Sequence, residues 1–240
     1  MTATATPASQ TKAEIYGTPF GEKLNYRIYL PEGLSAKRPV PLVLLLHGAG
    51  ERGDDNVAQL VHGATDLIAF SKEGGRPYVV VAPQCPLEMQ WVNTPWGDDR
   101  HSMPRHPSLP MKLALELLEK LMAELPVDKS RVHVTGLSMG GFGTWDAIQR
   151  QPETFAAAMP VCGGGDTAQA PRLKDVPVWI FHGSEDTAVK PSRSRDMAAA
   201  IAKAGGSPKH TEYPGVGHDS WVKAFSDHSH LAWLLEQKKP

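Results

Sequence analysis

A chain of 240 residues with a net charge of −1 and 41% apolar residues can bury a sizeable core, as one large α/β domain or two small ones. The near-neutral balance offers no electrostatic basis for nucleic acid or an anionic membrane, and no apolar run approaches the ~20 residues that span a bilayer. Its two cysteines, Cys85 and Cys162, allow one disulfide at most, and whether they pair is open; they make neither a disulfide scaffold nor a cysteine-type metal site.

Thr2 to Thr11 is small and polar, with no basic start or apolar h-region, so it does not read as a secretory signal. That reading is cytoplasmic for a chain that begins here, and secreted or periplasmic for one from which a leader was removed. Residues 1–11 are expected as a flexible segment before a single domain over 12–240. Alternation at Leu24, Tyr26, Ile28 and Leu30 predicts an antiparallel strand ended by Pro31-Glu32-Gly33. Val40 to Leu46 is continuously apolar, as in a strand buried on both faces of a mostly parallel sheet. Tyr78–Ala82, Val132–Thr135, Phe155–Val161 and Val176–Phe181 read alike, and Lys209–Tyr213 reads as a further strand. Helices are predicted over Asn56–Phe70, Met111–Leu125, Gly141–Arg150 and Ser192–Ala204, with another opened by His228 and His230, both placed on the surface. Strand and helix alternate, which predicts a doubly wound α/β sheet with helices on both faces. Cys85 to Pro110 breaks the alternation. It holds Trp91, Trp96 and five prolines, and it follows a strand, so it belongs at the carboxyl edge where α/β ligand sites occur.

Gly136-Leu137-Ser138-Met139-Gly140 closes the Val132–Thr135 strand and opens a helix. This G-x-S-x-G spacing holds a serine in a strained turn and lifts its hydroxyl out of the sheet. Glycine is needed at the flanks, where a side chain would meet the adjoining strand or helix. The helix N-terminus behind the serine favours an oxyanion. Alone, the pattern is also compatible with an ordinary glycine-rich turn, so a base, an orienting acid and an oxyanion hole must come from elsewhere.

Three segments supply them. His47-Gly48-Ala49-Gly50 follows the Val40–Leu46 strand and can aim a backbone N–H at Ser138; Ala49 is the favoured donor and Gly50 the alternative, completing a pair with the N–H of Met139. His182 to Val189 follows the Val176–Phe181 strand and carries Asp186, with Glu185 as the rival acid. Gly215-Val216-Gly217-His218-Asp219 carries the base. Of the histidines after Asp186, His210 lies in a strand and His228 and His230 in a helix, so only His218 sits in a glycine-flanked loop. Chain order Ser, acid, His fits the nucleophile-elbow arrangement.

On these residues the chain resembles the α/β-hydrolases of the phospholipase/carboxylesterase and dienelactone-hydrolase-like group. The resemblance is strongest to bacterial "predicted peptidase" esterases related to polyhydroxybutyrate depolymerases and feruloyl esterases. It runs from about Lys23 to the C-terminus and rests on the segments Leu46–Asp54, Ala82–Pro86, Thr135–Gly141, Cys162–Asp166, His182–Asp186 and Tyr213–Trp221. It implies an α/β-hydrolase fold without a large cap domain, no cofactor and no metal, and a catalytic triad on Ser138, Asp186 and His218. Lys190 departs from the Val-Pro usual in that loop. A serine nucleophile argues against dienelactone hydrolase activity proper, which uses cysteine.

Trp91, Trp96 and Trp221 are candidates for walls of an acyl or aryl pocket, with loop anchoring as the competing role. Trp145 is assigned to packing, Asp54 and Asp55 to helix capping, and Glu51 with Arg52 to a structural ion pair. The expected function is a serine carboxylesterase acting on short-chain or aryl esters, including feruloyl or acetyl esters of plant polysaccharide. A serine peptidase and a non-catalytic binding protein on the same scaffold are the alternatives.

Overall fold

The computed structural model describes residues 6–73 and 76–239. Eight strands form one sheet: β1 (Lys12–Gly17), β2 (Lys23–Tyr29), β3 (Val40–Leu46), β4 (Val79–Pro83), β5 (Val127–Leu137), β6 (Ala157–Val161), β7 (Trp179–Gly183) and β8 (Lys209–Tyr213). Their spatial order is β1-β2-β4-β3-β5-β6-β7-β8. β1, β2 and β4 pair antiparallel, and every other neighbouring pair is parallel. This is the α/β-hydrolase arrangement.

The unbroken apolar runs have two destinations. Leu42, Leu44 and Leu46 of β3 enter one core while Val43 and Leu45 enter the other, because successive strand residues face opposite sides. The first core is closed by helices α3 (Leu109–Glu124), α4 (Met139–Arg150) and α5 (Ser192–Lys203), through Leu117, Trp145 and Met197 among others. The second is closed by α2 (Ala64–Lys72), α6 (Trp221–Ser226) and α7 (His228–Glu236), through Leu67, Phe225 and Leu231. Each fully buried leucine removes apolar surface worth ~1.5–3 kcal/mol from water, and a polar residue facing inward without a partner costs the central strands stability.

Several boundaries differ from expectation. The helix expected over Asn56–Phe70 is split into a 3-10 turn (Ala58–Leu60) and α2, separated by Gly63 at φ 76°. A Cβ at Gly63 would sit 3.0 Å from the Phe225 ring, so α6 packs into the break. Asp55 caps the 3-10 turn, accepting from Val57 and Ala58 N–H groups; Asp54 instead offers its carbonyl to Asn25. The flexible segment expected before residue 12 is partly ordered. Among its described residues, Pro7–Gln10 form one helical turn, α1, capped by Thr6, and the Ala8 carbonyl accepts from Arg27; residues 1–5 of that expectation lie outside the described residues. β1 is an added edge strand whose exposed faces leave no periodicity to read.

His230 is not a surface residue. It is 7% exposed, with its ring packed edge-on against Trp179 and tilted against Phe181. Its Nδ1 lies 3.0 Å from the Ala224 carbonyl, so it joins α6 to α7. Glu51 and Arg52 do not form the expected ion pair. Glu51 faces His62 at 3.7 Å, while Arg52 donates to the Ala49 and Met89 carbonyls. Cys85 and Cys162 are separate buried thiols, and burial pushes the Cys85 thiol up to about 12. Among the described residues, no helix is long and apolar enough to cross a membrane.

Candidate active site

Ser138 stands between β5 and α4 with φ 53° and ψ −118°. Such a backbone costs a non-glycine residue of order 1–3 kcal/mol and persists only where its surroundings force it. Here the forcing is steric. A Cβ on Gly136 would lie 2.4 Å from the Gly140 carbonyl oxygen, and one on Gly140 would lie 1.9 Å from that of Leu46. Glycine at both positions lets α4 start directly over the end of β3. The Ser138 N–H donates to Val161 across 2.9 Å, which ties the turn to β6.

Ser138 Oγ lies 2.8 Å from Nε2 of His218, and Nδ1 of the same ring lies 2.7 Å from Oδ2 of Asp186. The three expected residues therefore meet from the carboxyl ends of β5, β7 and β8. Glu185, the rival acid, is exposed, whereas Asp186 is 5% exposed. Burial alone would raise the Asp186 carboxyl. Hydrogen bonds from His182, His218 and the Val189 N–H outweigh it and hold the group well below the usual carboxylate range. A fixed anion at this place holds the His218 proton on Nδ1, leaving Nε2 to accept from Ser138.

The acid and base loops are laced together. Glu185 N–H donates to Val216 and Gly215 N–H to Ser184 Oγ, each across 2.9 Å. A Cβ on Gly183 would lie 2.2 Å from the Gly217 carbonyl oxygen, so the glycine admits the histidine loop.

The segment expected to carry the oxyanion donors, Ala49–Glu51, forms a 3-10 turn after β3. Among the described residues, no backbone carbonyl accepts from the N–H of Ala49, Gly50 or Met139, so all three expected donors remain available. His47 builds this turn. Its Nε2 accepts from the Cys85 N–H, so Nδ1 carries the proton given to the Gly48 carbonyl 2.6 Å away. Burial lowers this imidazole to about 4, keeping it neutral.

The tryptophans divide. Trp91 is fully buried and walls no open pocket; its Nε1 donates to the His47 carbonyl and its ring meets the His47 ring edge-on. Trp96 is half-buried against the core with the Arg52 guanidinium 5.9 Å above its ring. Trp221 stands against the candidate site, perpendicular to the His218 ring at 5.4 Å and beside His62 at 5.3 Å. Lys190, the departure in the acid loop, reaches Asp99 in the 85–110 loop at 2.6 Å.

One histidine carries no role in the sequence pattern. His182 lies fully buried near the end of β7, and its Nε2 lies 3.1 Å from the same Asp186 oxygen that His218 uses. Its position directly before Gly183 was the available signal, but a buried strand histidine is usually only packed.

A family described as "Putative esterase" matches residues 17–236. The chain belongs to this family of esterases. A thermostable esterase of known structure superposes with a TM-score of 0.87 at 36% identity, covering 96% of this chain and 64% of that one. A ferulic acid esterase structure superposes at 0.70 with 17% identity, covering 94% and 97%, a likeness of fold. Among curated relatives, a bifunctional acetylxylan esterase/xylanase of Neocallimastix patriciarum is 26% identical over 172 residues, 69% of this chain and 22% of that protein. Poly(3-hydroxyalkanoate) depolymerase C of Paucimonas lemoignei is 28% identical over 226 residues, 78% and 49% respectively. The chain thus spans between about a fifth and a half of the length of these curated relatives.

Proposed function

We propose that this domain hydrolyses short-chain or aryl carboxylic esters through a Ser138–His218–Asp186 triad. The observation that carries the reading is the continuous hydrogen-bonded path from Ser138 Oγ through both nitrogens of His218 to Asp186, at 2.8 and 2.7 Å. His218 Nε2 removes the hydroxyl proton as Oγ attacks the ester carbonyl. Asp186 keeps the ring in the required tautomer and stabilises the imidazolium. The Met139 N–H and that of Ala49 or Gly50 donate to the tetrahedral oxyanion, in a place where preorganised donors are worth more than in water. His218 returns the proton to the leaving alcohol. Water then repeats the cycle on the acyl-enzyme, releasing the acid and restoring Ser138.

Acetyl and feruloyl esters of plant polysaccharide are the substrates we favour, by likeness to the acetylxylan and ferulic acid esterases; Trp221 would lie along the bound acyl or aryl group. The test is hydrolysis of p-nitrophenyl acetate, p-nitrophenyl butyrate and methyl ferulate beside a peptide p-nitroanilide. The reading expects turnover of the esters, abolished in Ser138→Ala with the fold retained. Anilide turnover without ester turnover would overturn it in favour of a peptidase, and inertness toward all four in favour of a binding protein.

A further inference from the structure

Asp186 is held from behind by a second histidine, and the arrangement fixes that ring's protonation. His182 Nε2 faces the Asp186 Oδ2 at 3.1 Å and the Val189 carbonyl at 2.9 Å. Both are acceptors, so Nε2 must carry the proton. Nδ1 is then a lone pair, and it meets the Ser194 hydroxyl at 2.7 Å, which donates to it. All three side chains are buried, with His182 and Ser194 at 0% and 1% exposure. The other Asp186 oxygen accepts the N–H groups of Ala188 and Val189, each at 2.9 Å. One carboxylate oxygen is therefore shared between the rings of His182 and His218.

We infer that His182, locked by Ser194, is a positioning residue of the proposed ester hydrolysis: it orients the Asp186 carboxylate and tempers its pull on the His218 ring. The inference rests on the triad reading above. A hydrogen bond to a carboxylate withdraws charge from it and makes it a weaker partner for a second cation. Without the His182 proton, Oδ2 would stabilise the protonated His218 ring more strongly, so the free base would be available only at higher pH. The titratable and charged groups around this cluster are His210 and Glu212 of β8, both coupled to His182, Arg195 of α5 paired to Glu212, and Cys162 just after β6, coupled to Asp186 and Asp219. Ser194 lies in the first turn of α5 beside Arg193, whose guanidinium holds the Asp98 carbonyl and His101. The same turn thus anchors both the acid and the 85–110 loop.

The test uses the full chain in three forms besides wild type: His182→Leu, His182→Gln and Ser194→Ala. Leucine removes the donor, whereas the glutamine amide reaches the place of Nε2 and restores it. In His182→Leu, kcat for p-nitrophenyl acetate should fall about tenfold with KM within about twofold, and the acid limb of kcat/KM should move up by about half to one pH unit. His182→Gln should recover to within about threefold of wild type, and Ser194→Ala should shift the limb in the same direction by less. Nitrogen NMR of wild type should find His182 neutral with its proton on Nε2, independently of turnover. A proton on Nδ1, or an unmoved acid limb in folded His182→Leu and Ser194→Ala, would overturn the inference while leaving the esterase reading intact. Wild type inert toward all the esters would instead overturn that reading, and with it the role of His182 in ester hydrolysis.

Discussion

The indole Nε1 of Trp91 donates to the main-chain carbonyl of His47 across 3.1 Å. A residue of the long irregular loop is thereby fixed to His47, just before the turn proposed to carry the oxyanion donors. Ser108, which caps α3, donates to the Trp91 carbonyl at 2.7 Å, so the loop is fastened at both ends of this contact. Trp91→Phe keeps a buried aromatic ring and deletes the indole donor together with part of the ring volume. The expected result is a protein destabilised by about 2 kcal/mol, with kcat for ester hydrolysis lowered about tenfold and KM within about twofold, because the donors loosen without loss of the pocket. A raised KM with unchanged kcat would return Trp91 to the pocket wall.

Gly140 is demanded by close approach rather than by backbone conformation. Its added Cβ would fall 1.9 Å from the Leu46 carbonyl oxygen, and backbone cannot yield there as a flexible side chain could. Gly140→Ala should cost more than about 3 kcal/mol of stability, or prevent folding outright, whereas alanine is ordinarily the better helix former. Thermal unfolding of the purified variant checks this; an unchanged midpoint would mean that α4 can move away from β3.

Three imidazoles with lowered affinity for protons, His47 and His133 buried and His101 half-buried, shape the response to acid. Burial lowers His47 to about 4 and His133 to about 3, and burial with the Arg193 charge lowers His101 to about 4. Each value is below that of the unfolded chain, near 6.5, so the folded state binds fewer protons than the unfolded one in the window between. The stability that these groups contribute is complete above about pH 6.5 and is lost as pH falls toward 4 and 3. Asp186, also lowered, adds to the loss only below the ordinary carboxylate range. Neither ring nitrogen of His133 has a hydrogen-bond partner among the described residues, so His133→Leu should stabilise by about 1 kcal/mol at pH 8 and by more at pH 5. Midpoints of thermal unfolding across that range would show a shallower acid decline in the variant; a steeper one would contradict the assignment.

What could be read from the residues followed from how local the signal was. The β3 run and the Gly136–Gly140 turn are dictated by adjacent residues, and both emerged within a few positions of their observed bounds. The meeting of Ser138, His218 and Asp186 was legible because each follows a strand and, of the later histidines, only His218 sits in a glycine-flanked loop. Signals that depend on distant partners were not legible. His230 faces Trp179 and Phe181 of β7, about 50 residues earlier in the chain, and helix periodicity at the C-terminus cannot show what covers it. The break at Gly63 is set by the Phe225 ring, and Trp91 takes its role from a carbonyl in another loop. β1 was missed because a strand with two exposed faces has no alternation to reveal it.

The central claim, that Ser138 is the nucleophile, is tested most directly by fluorophosphonate labelling of the native protein followed by peptide mass spectrometry. The account predicts one stoichiometric adduct on Ser138, coincident with loss of ester hydrolysis and absent from Ser138→Ala. An adduct elsewhere, or ester hydrolysis that survives complete labelling of Ser138, would contradict it.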